Sequence, residues 1–266
     1  MDNLHKKYEL LKENLKSLGS VAVAFSSGVD STFLLKVAHD TLGDGAVAIT
    51  ASSCLMPKRE NNEADAFCKS EGIKHICFTA EPLEIEGFAQ NPKDRCYICK
   101  RDIFIRIKEL AAENNIAYVL EGSNTDDVGD YRPGMRAIAE LEIKSPLRKA
   151  GLSKADIRLL SRELGLTTWD KPSFACLASR FVYGETITEE KLSTVDKAEQ
   201  RLLDLGFKQF RVRIHGSLAR IEVEKADLPK LLDNADEINE HFKSLGFLYV
   251  TLDLGGYVMG SMNKTV

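Results

Sequence analysis

The sequence has no run approaching the ~18 consecutive apolar residues that a helix needs to cross a bilayer. It also lacks any excess of positive charge. Its 36 Lys and Arg stand against 40 Asp and Glu, for a net charge of -4 and a pI near 5.8. A broad, non-specific nucleic-acid surface is therefore not expected, although a local basic pocket is compatible with these numbers. No internal repeat or low-complexity tract breaks up the chain. The first residues do not read as a signal peptide. Leu4, Tyr8, Leu11, Leu15 and Leu18 recur at helical spacing with Lys and Glu between them, which predicts an amphipathic helix and, with it, a cytoplasmic protein. What is present is a chain of 266 residues, enough for one large core or two modest domains. Six cysteines occur, and in a cytoplasmic chain metal or catalytic roles come before disulfides. Cys68 and Cys77 have apolar neighbours and are expected in the core, while Cys54 is assigned no role.

The first two-thirds alternate short β-branched runs with helical patterns. Strands are expected at 21–25, 46–50, 73–78 and 118–120, with helices after residue 31, from Pro57 to about Glu71, and from Tyr97 to Glu113. Strands separated by helices of this length predict right-handed crossovers and a parallel α/β sheet with helices on both faces. Ser153 to Asp156 has capping-box spacing and starts another helix. Residues 170–185 lack a period and read as a loop. Thr188 then caps a helix with Glu189 and Glu190 in its first turn. Strands at 210–214, 220–223 and 248–252 and a helix over 228–242 complete a smaller C-terminal α+β unit. The expected organisation is a nucleotide-binding domain at 1–175 and an α+β domain at 186–266, the latter for substrate phosphate binding or oligomerisation. A connecting loop at 172–186 carries Cys176.

The first strand runs directly into Ser26-Ser27-Gly28-Val29-Asp30-Ser31, and a helical pattern begins at once. Gly28 permits a tight turn and a close backbone approach, and the following N–H groups open a helix that favours an anion. Ser26, Ser27 and Ser31 add hydroxyls, and Asp30 suits a magnesium ion on phosphates. The absence of a Walker lysine excludes a P-loop that cleaves the β–γ bond. On residues alone, a serine-rich turn that binds nothing remains the alternative. The segment resembles the PP-loop, S-G-G-x-D-S, of ATP pyrophosphatases, with Ser27 in place of the first glycine. The resemblance implies that ATP and Mg²⁺ are used, that the loop grips pyrophosphate, and that a substrate oxygen attacks the α-phosphate to give an adenylate. It also implies adenine contacts at Thr50 and Ala51 and a site wall at Gly122. Asp127 becomes a second magnesium ligand, although Asp126-Asp127 alone would read as a solvated turn.

Further motifs narrow the class: Arg95-Cys96-Tyr97-Ile98-Cys99-Lys100, Asn124-Thr125-Asp126-Asp127 leading to Asp130-Tyr131-Arg132-Pro133-Gly134, Pro172 through Phe181, and Arg211-Val212-Arg213-Ile214-His215-Gly216. Together, over nearly the whole chain, they are similar to the LarE family of sulfur transferases, which serve nickel-pincer cofactor biosynthesis. The resemblance implies adenylylation of the carboxylates of pyridinium-3,5-biscarboxylic acid mononucleotide and their conversion to thiocarboxylates. A sulfide or another sulfur donor is an expected partner. Arg211 and Arg213 alternate on a strand and share a face, which suits a nucleotide phosphate; a solvated basic strand is the plain alternative. Lys100 and Arg180 are weaker candidates for substrate contact. In one branch of the family the cysteine matched by Cys176 gives up its own sulfur. Cys96 and Cys99 add two thiols, and three thiolates can hold a 4Fe-4S cluster with one iron open to deliver hydrosulfide. A zinc site, a Cys96–Cys99 redox pair serving Cys176, and sacrifice of Cys176 alone stay open as alternatives. The resemblance also suggests a homo-oligomer, with a hexamer as the state to test. Rival functions are a tRNA thiolase, an ammonia-dependent amide ligase and a nucleotide-binding regulator without turnover.

Overall fold

The computed structural model describes residues 2–127, 133–172, 176–258 and 260–262. Asp130, Tyr131 and Arg132 of one motif, and Ser173, Phe174 and Ala175 of another, lie outside the described residues. The chain forms two compact units, one of Met1–Ala80 with Cys96–Phe174 and the other of Glu81–Arg95 with Ala175–Val266. The second unit thus takes in Glu81–Arg95, a stretch that has no separate identity in the sequence.

In chain order the first unit contains α1 (Asn3–Lys16), β1 (Val21–Ala24), α2 (Val29–Leu42), β2 (Ala46–Ser52), α3 (Lys58–Glu71) and β3 (His75–Thr79). It continues with α4 (Arg95–Glu113), β4 (Tyr118–Leu120), α5 (Gly134–Glu140), α6 (Pro146–Lys149) and α7 (Lys154–Glu163). The strands pair in parallel in the order β3-β2-β1-β4. Alternation along the strands divides two cores. Val21 and Val23 of β1 pack with Leu11, Phe33, Leu34, Ile157 and Leu160, while Ala22 packs with Val47, Ile49, Phe104, Ile107 and Val119 on the other face. Helices therefore cover both faces, as the β-branched runs predict. The N-terminal amphipathic helix is α1, with Leu11 and Leu15 buried. The box at Ser153 forms in full, the Ser153 hydroxyl accepting from the Asp156 N–H and the Asp156 carboxylate accepting from the Ser153 N–H.

The second unit contains α8 (Glu189–Asp204), β5 (Phe210–His215), β6 (Leu218–Val223), α9 (Leu228–Asp233), α10 (Ala235–Ser244) and β7 (Tyr249–Leu252). β5 and β6 form an antiparallel hairpin, and β7 joins β6 in parallel. Gly216, at φ 61, supplies the positive φ of the two-residue hairpin turn. Thr188 caps α8 by accepting from the Lys191 N–H. No helix among the described residues is long and apolar enough to cross a membrane.

Two expectations need correction. The single helix over 228–242 is two helices, broken at Asn234, whose side-chain amide donates to the Lys230 carbonyl at 2.8 Å and so competes with the helical ladder. Cys68 is buried, but Cys77 is exposed. On the edge strand β3, Ile76 and Phe78 turn to the core face, so strand alternation sends Cys77 to the opposite one, beside His75 at 3.3 Å. Burial pushes the Cys68 thiol up to about 12, in keeping with an inert core residue.

Candidate functional site

The sheet order puts the reversal of strand progression between β1 and β4, where open α/β sheets bind ligands beyond the strand carboxyl ends. The Ser26–Ser31 loop leaves β1 at this point. Gly28 is the N-cap of α2 and offers no side chain, so it supplies no side-chain cap to the first N–H groups of that helix. Val29 contributes only backbone here, because its side chain belongs to the core. Ser26 and Ser31 face one another, with their hydroxyl oxygens 3.1 Å apart, and the Ser31 hydroxyl donates to the Gly28 carbonyl at 3.3 Å. Ser27 differs from both: it lies at φ 52 with its hydroxyl turned inward to the Glu60 carboxylate and carbonyl.

The segment after β4 closes over this loop. A Cβ on Gly122 would sit 3.2 Å from the Asp30 Cβ and 3.2 Å from the Ser31 nitrogen, so the absence of a side chain permits this approach. Next to it, the buried Glu121 carboxylate accepts from the Ser123 N–H and hydroxyl at 3.0 and 2.7 Å, and from the Ser145 hydroxyl. Asn124 offers its side-chain amide to Asp30 at 3.5 Å, and Asp127 accepts from the Asn124 N–H at 2.8 Å.

One cation at this site escapes sequence reasoning. Lys154, the first residue of α7, places its ammonium 2.6 Å from the Asp30 carboxylate. Asp126 accepts from the Lys154 N–H at 3.0 Å and thereby fixes the start of α7 beside the 124–127 turn. Asp126 therefore does more than face solvent. Thr50 is buried, its hydroxyl donating to the Phe25 carbonyl at 2.9 Å and lying 2.8 Å from the His75 imidazole, so its side chain is committed within the protein. Ala51 follows at the partly open end of β2.

Cys96, Cys99 and Lys100 lie in the first turns of α4, at spacings that put them on one helical face. Cys96 is exposed and Cys99 half-buried. The turn is anchored by Tyr97, whose hydroxyl donates to Glu140 at 2.7 Å while Arg136 lies 3.5 Å over its ring. The Lys100 stem lies against Gly134, where an added Cβ would meet its Cδ at 2.6 Å. Cys176, in the second unit, is exposed at the start of a short 3-10 turn. Among the described residues, no three His, Cys, Asp or Glu side chains are gathered as a metal site.

The second unit holds a buried charge cluster. Arg180 forms a two-pronged pair with Glu199, both bonds at 2.8 Å, with both side chains fully buried. Its remaining nitrogen donates to the Cys176 carbonyl at 3.2 Å and the Ser179 hydroxyl at 2.9 Å. Arg213 pairs with Glu222 at 2.8 Å and donates to the Ser179 carbonyl and the Ser261 hydroxyl. Arg211 lies 5.0 Å over the Tyr257 ring. Arg211 and Arg213 are 3 and 5% exposed, which overturns the alternative of a solvated basic strand. Burial opposes the Arg180 charge, but the Glu199 carboxylate outweighs it and holds the guanidinium above its ordinary value. For Arg211 burial wins, aided by the Arg180 guanidinium, and its pKa falls to about 10. Arg180, Arg211 and Arg213 share this buried interior with the carboxylates of Glu199 and Glu222.

No protein-family model matches the chain. Individual relatives do. A pyridinium-3,5-bisthiocarboxylic acid mononucleotide synthase of Lactiplantibacillus plantarum is 40% identical, covering 100% of this chain and 97% of its own. An uncharacterized protein of Synechocystis is 42% identical over 99% of both chains. A glutamine-hydrolyzing GMP synthase chain of Archaeoglobus fulgidus is 27% identical, over 71% of this chain and 66% of its own. With a sheet whose phosphate-type loop lies at the strand reversal, and with end-to-end similarity to the L. plantarum synthase, the chain belongs to the LarE family.

Proposed function

We propose that the protein is an ATP-dependent sulfur transferase that adenylylates the carboxylates of pyridinium-3,5-biscarboxylic acid mononucleotide and converts them to thiocarboxylates. The observation that carries this reading is the Ser26–Ser31 loop, which opens α2 at the strand reversal with Gly122 against it, in a chain similar to the L. plantarum synthase from end to end. In this reading the N–H groups of Gly28, Val29 and Asp30 hold the ATP pyrophosphate, and Ser26 and Ser31 add hydroxyl donors. The Lys154 ammonium occupies a place beside Asp30 suited to positive charge, and the oxygen donors of Asp30 and Asp127 suit a hard cation; both residues would hold magnesium. Bound there, the ion would neutralise charge on the leaving pyrophosphate.

The substrate carboxylate attacks the ATP α-phosphorus, the bond to pyrophosphate breaks, and an acyl-adenylate forms. A sulfur nucleophile then attacks the acyl carbon and AMP leaves; hydrosulfide gives the thiocarboxylate directly, whereas a Cys176 thioester gives it by losing the Cα proton and breaking its Cβ–Sγ bond, which leaves dehydroalanine. Arg211 and Arg213 supply an interior that favours the substrate's phosphate, and Arg180 steadies the backbone at Cys176 through its carbonyl. The thiols of Cys96, Cys99 and Cys176 would hold a 4Fe-4S cluster; the first two share a helix face and are accessible. Such a cluster would supply a site for hydrosulfide. Cys176 as its own sulfur donor is the alternative route to the same product.

The test combines the protein with ATP, Mg²⁺, sulfide and the pyridinium mononucleotide, and follows pyrophosphate, AMP and product mass. Pyrophosphate and AMP should appear together with thiocarboxylate. Multiple products per chain, lost with the iron in Cys96→Ala, support the cluster route. One sulfur transferred per chain, with Cys176 converted to dehydroalanine, supports sacrifice. Pyrophosphate release without any sulfur in the product would overturn the transferase reading.

A further inference from the structure

Ser27 stands at φ 52, in the left-handed region that normally favours glycine. A residue persists there when its surroundings over-determine it, and the surroundings of Ser27 do so. Its hydroxyl lies 3.0 Å from both the carbonyl and a carboxylate oxygen of Glu60. Its own carbonyl accepts from the Lys171 ammonium at 3.1 Å. That ammonium also contacts Glu60 at 2.7 Å and Glu63 at 2.5 Å.

Glu60 is 6% exposed, and its other carboxylate oxygen is buried without a hydrogen-bond partner among the described residues. A buried carboxylate with one oxygen orphaned is poorly explained as a stability device, since its desolvation is only partly offset. Its position gives it another use. A left-handed residue in such a turn lets successive N–H groups converge on one point, which makes an anion-binding concavity. If Ser27 returned to an ordinary conformation its peptide would rotate, and its carbonyl oxygen would compete with the anion for that space. The Lys171 ammonium holds this oxygen, while Glu60 holds the hydroxyl of the same residue.

Resting on the ATP-binding role proposed above, we propose that Glu60 and Lys171 form a positioning pair that locks Ser27 in its left-handed conformation and keeps the phosphate loop open to MgATP. Neither residue touches the nucleotide in this arrangement; both act through Ser27. Glycine at this position needs no lock.

The experiment compares the parent protein, Glu60→Gln, Ser27→Gly and the double variant. MgATP dissociation constants are measured well below each melting temperature, and nucleotide-free crystal structures are determined for the parent and Glu60→Gln. Glu60→Gln should weaken MgATP binding about tenfold, within the range expected for coupled neighbours, and less than about twofold once Ser27→Gly is present. Equal weakening in both backgrounds, or none in the parent background, overturns the lock. If the parent binds no MgATP, the function proposed above fails, and the crystal structures decide the lock alone. Ser27 leaving positive φ in Glu60→Gln then supports it; unchanged φ overturns it.

Discussion

The Asp30–Lys154 contact shows what a single side chain contributes. Lys154 is 30% exposed and Asp30 is 23% exposed, so the pair is screened and worth at most about 1 kcal/mol to folding. Its value lies in placing an ammonium beside the phosphate loop. We therefore expect Lys154→Gln to lower pyrophosphate release at limiting ATP by about tenfold or more, the scale of one charge-assisted contact, while the melting temperature moves little. Steady-state pyrophosphate assays with thermal melts check both halves; an unchanged kcat/KM for ATP would remove Lys154 from the site. Asp30 and its flanking serines are legible in the sequence because strand, glycine and helix start are contiguous there. Lys154 is not, because it is 124 residues away and follows a capping serine, where a lysine reads as a solvated first-turn residue. Glu60 and Lys171 are hidden for the same reason: only packing of α3 and the 171 region brings them to Ser27.

Between elements, the end of β4 closes tightly on the start of α2. The Gly122 position leaves no room for a methyl group without moving Asp30 or the Ser31 backbone. Gly122→Ala should cost about 1–3 kcal/mol by overpacking and weaken MgATP binding more than it weakens folding, since the displaced atoms belong to the phosphate loop. Chemical denaturation beside MgATP titration tests this, and undiminished affinity would contradict it. Most elements are readable from periodicity and caps: β1 from its β-branched run, α7 from Ser153, α8 from Thr188. What escapes reading depends on competition or on sheet position. Asn234 breaks a continuous apolar pattern through its own side-chain amide, and Cys77 is exposed because β3 is an edge strand. The arginines of β5 are legible as sharing a face, but their burial is not. It depends on Glu199 from α8 and Glu222 from β6, which no local pattern pairs with them.

At the scale of the whole molecule, the buried carboxylates link stability to pH. Burial raises the Glu199 pKa, but Arg180 outweighs it, and the group ends below its ordinary 4.5. A depressed folded pKa contributes stability that is fully present above the ordinary value and lost as pH falls through the folded one. Glu199→Gln leaves Arg180 buried without its countercharge and should cost about 3–5 kcal/mol near neutral pH. The gap between parent and variant should narrow below pH 4.5, as the parent loses the same pairing. Melting curves across this range test it, and a gap independent of pH would place the stabilisation elsewhere.

The segment Glu81–Arg95 belongs to the second unit although half the first unit follows it in the chain. Asn91, fully buried at φ 55, donates its amide to the Val182 carbonyl at 2.7 Å, and its own carbonyl accepts from the Gly184 N–H. The Ala89 carbonyl likewise accepts from the Ile187 N–H. During synthesis these residues leave the ribosome long before their partners exist, and they must wait, unsatisfied, while the first unit is completed. A shortened gene beginning at Cys176 would encode all of the second sheet yet none of this stretch; a gene that begins at Glu81 and joins Arg95 through a linker to residue 175, omitting 96–174, is the rearrangement that would encode the second unit as a continuous chain.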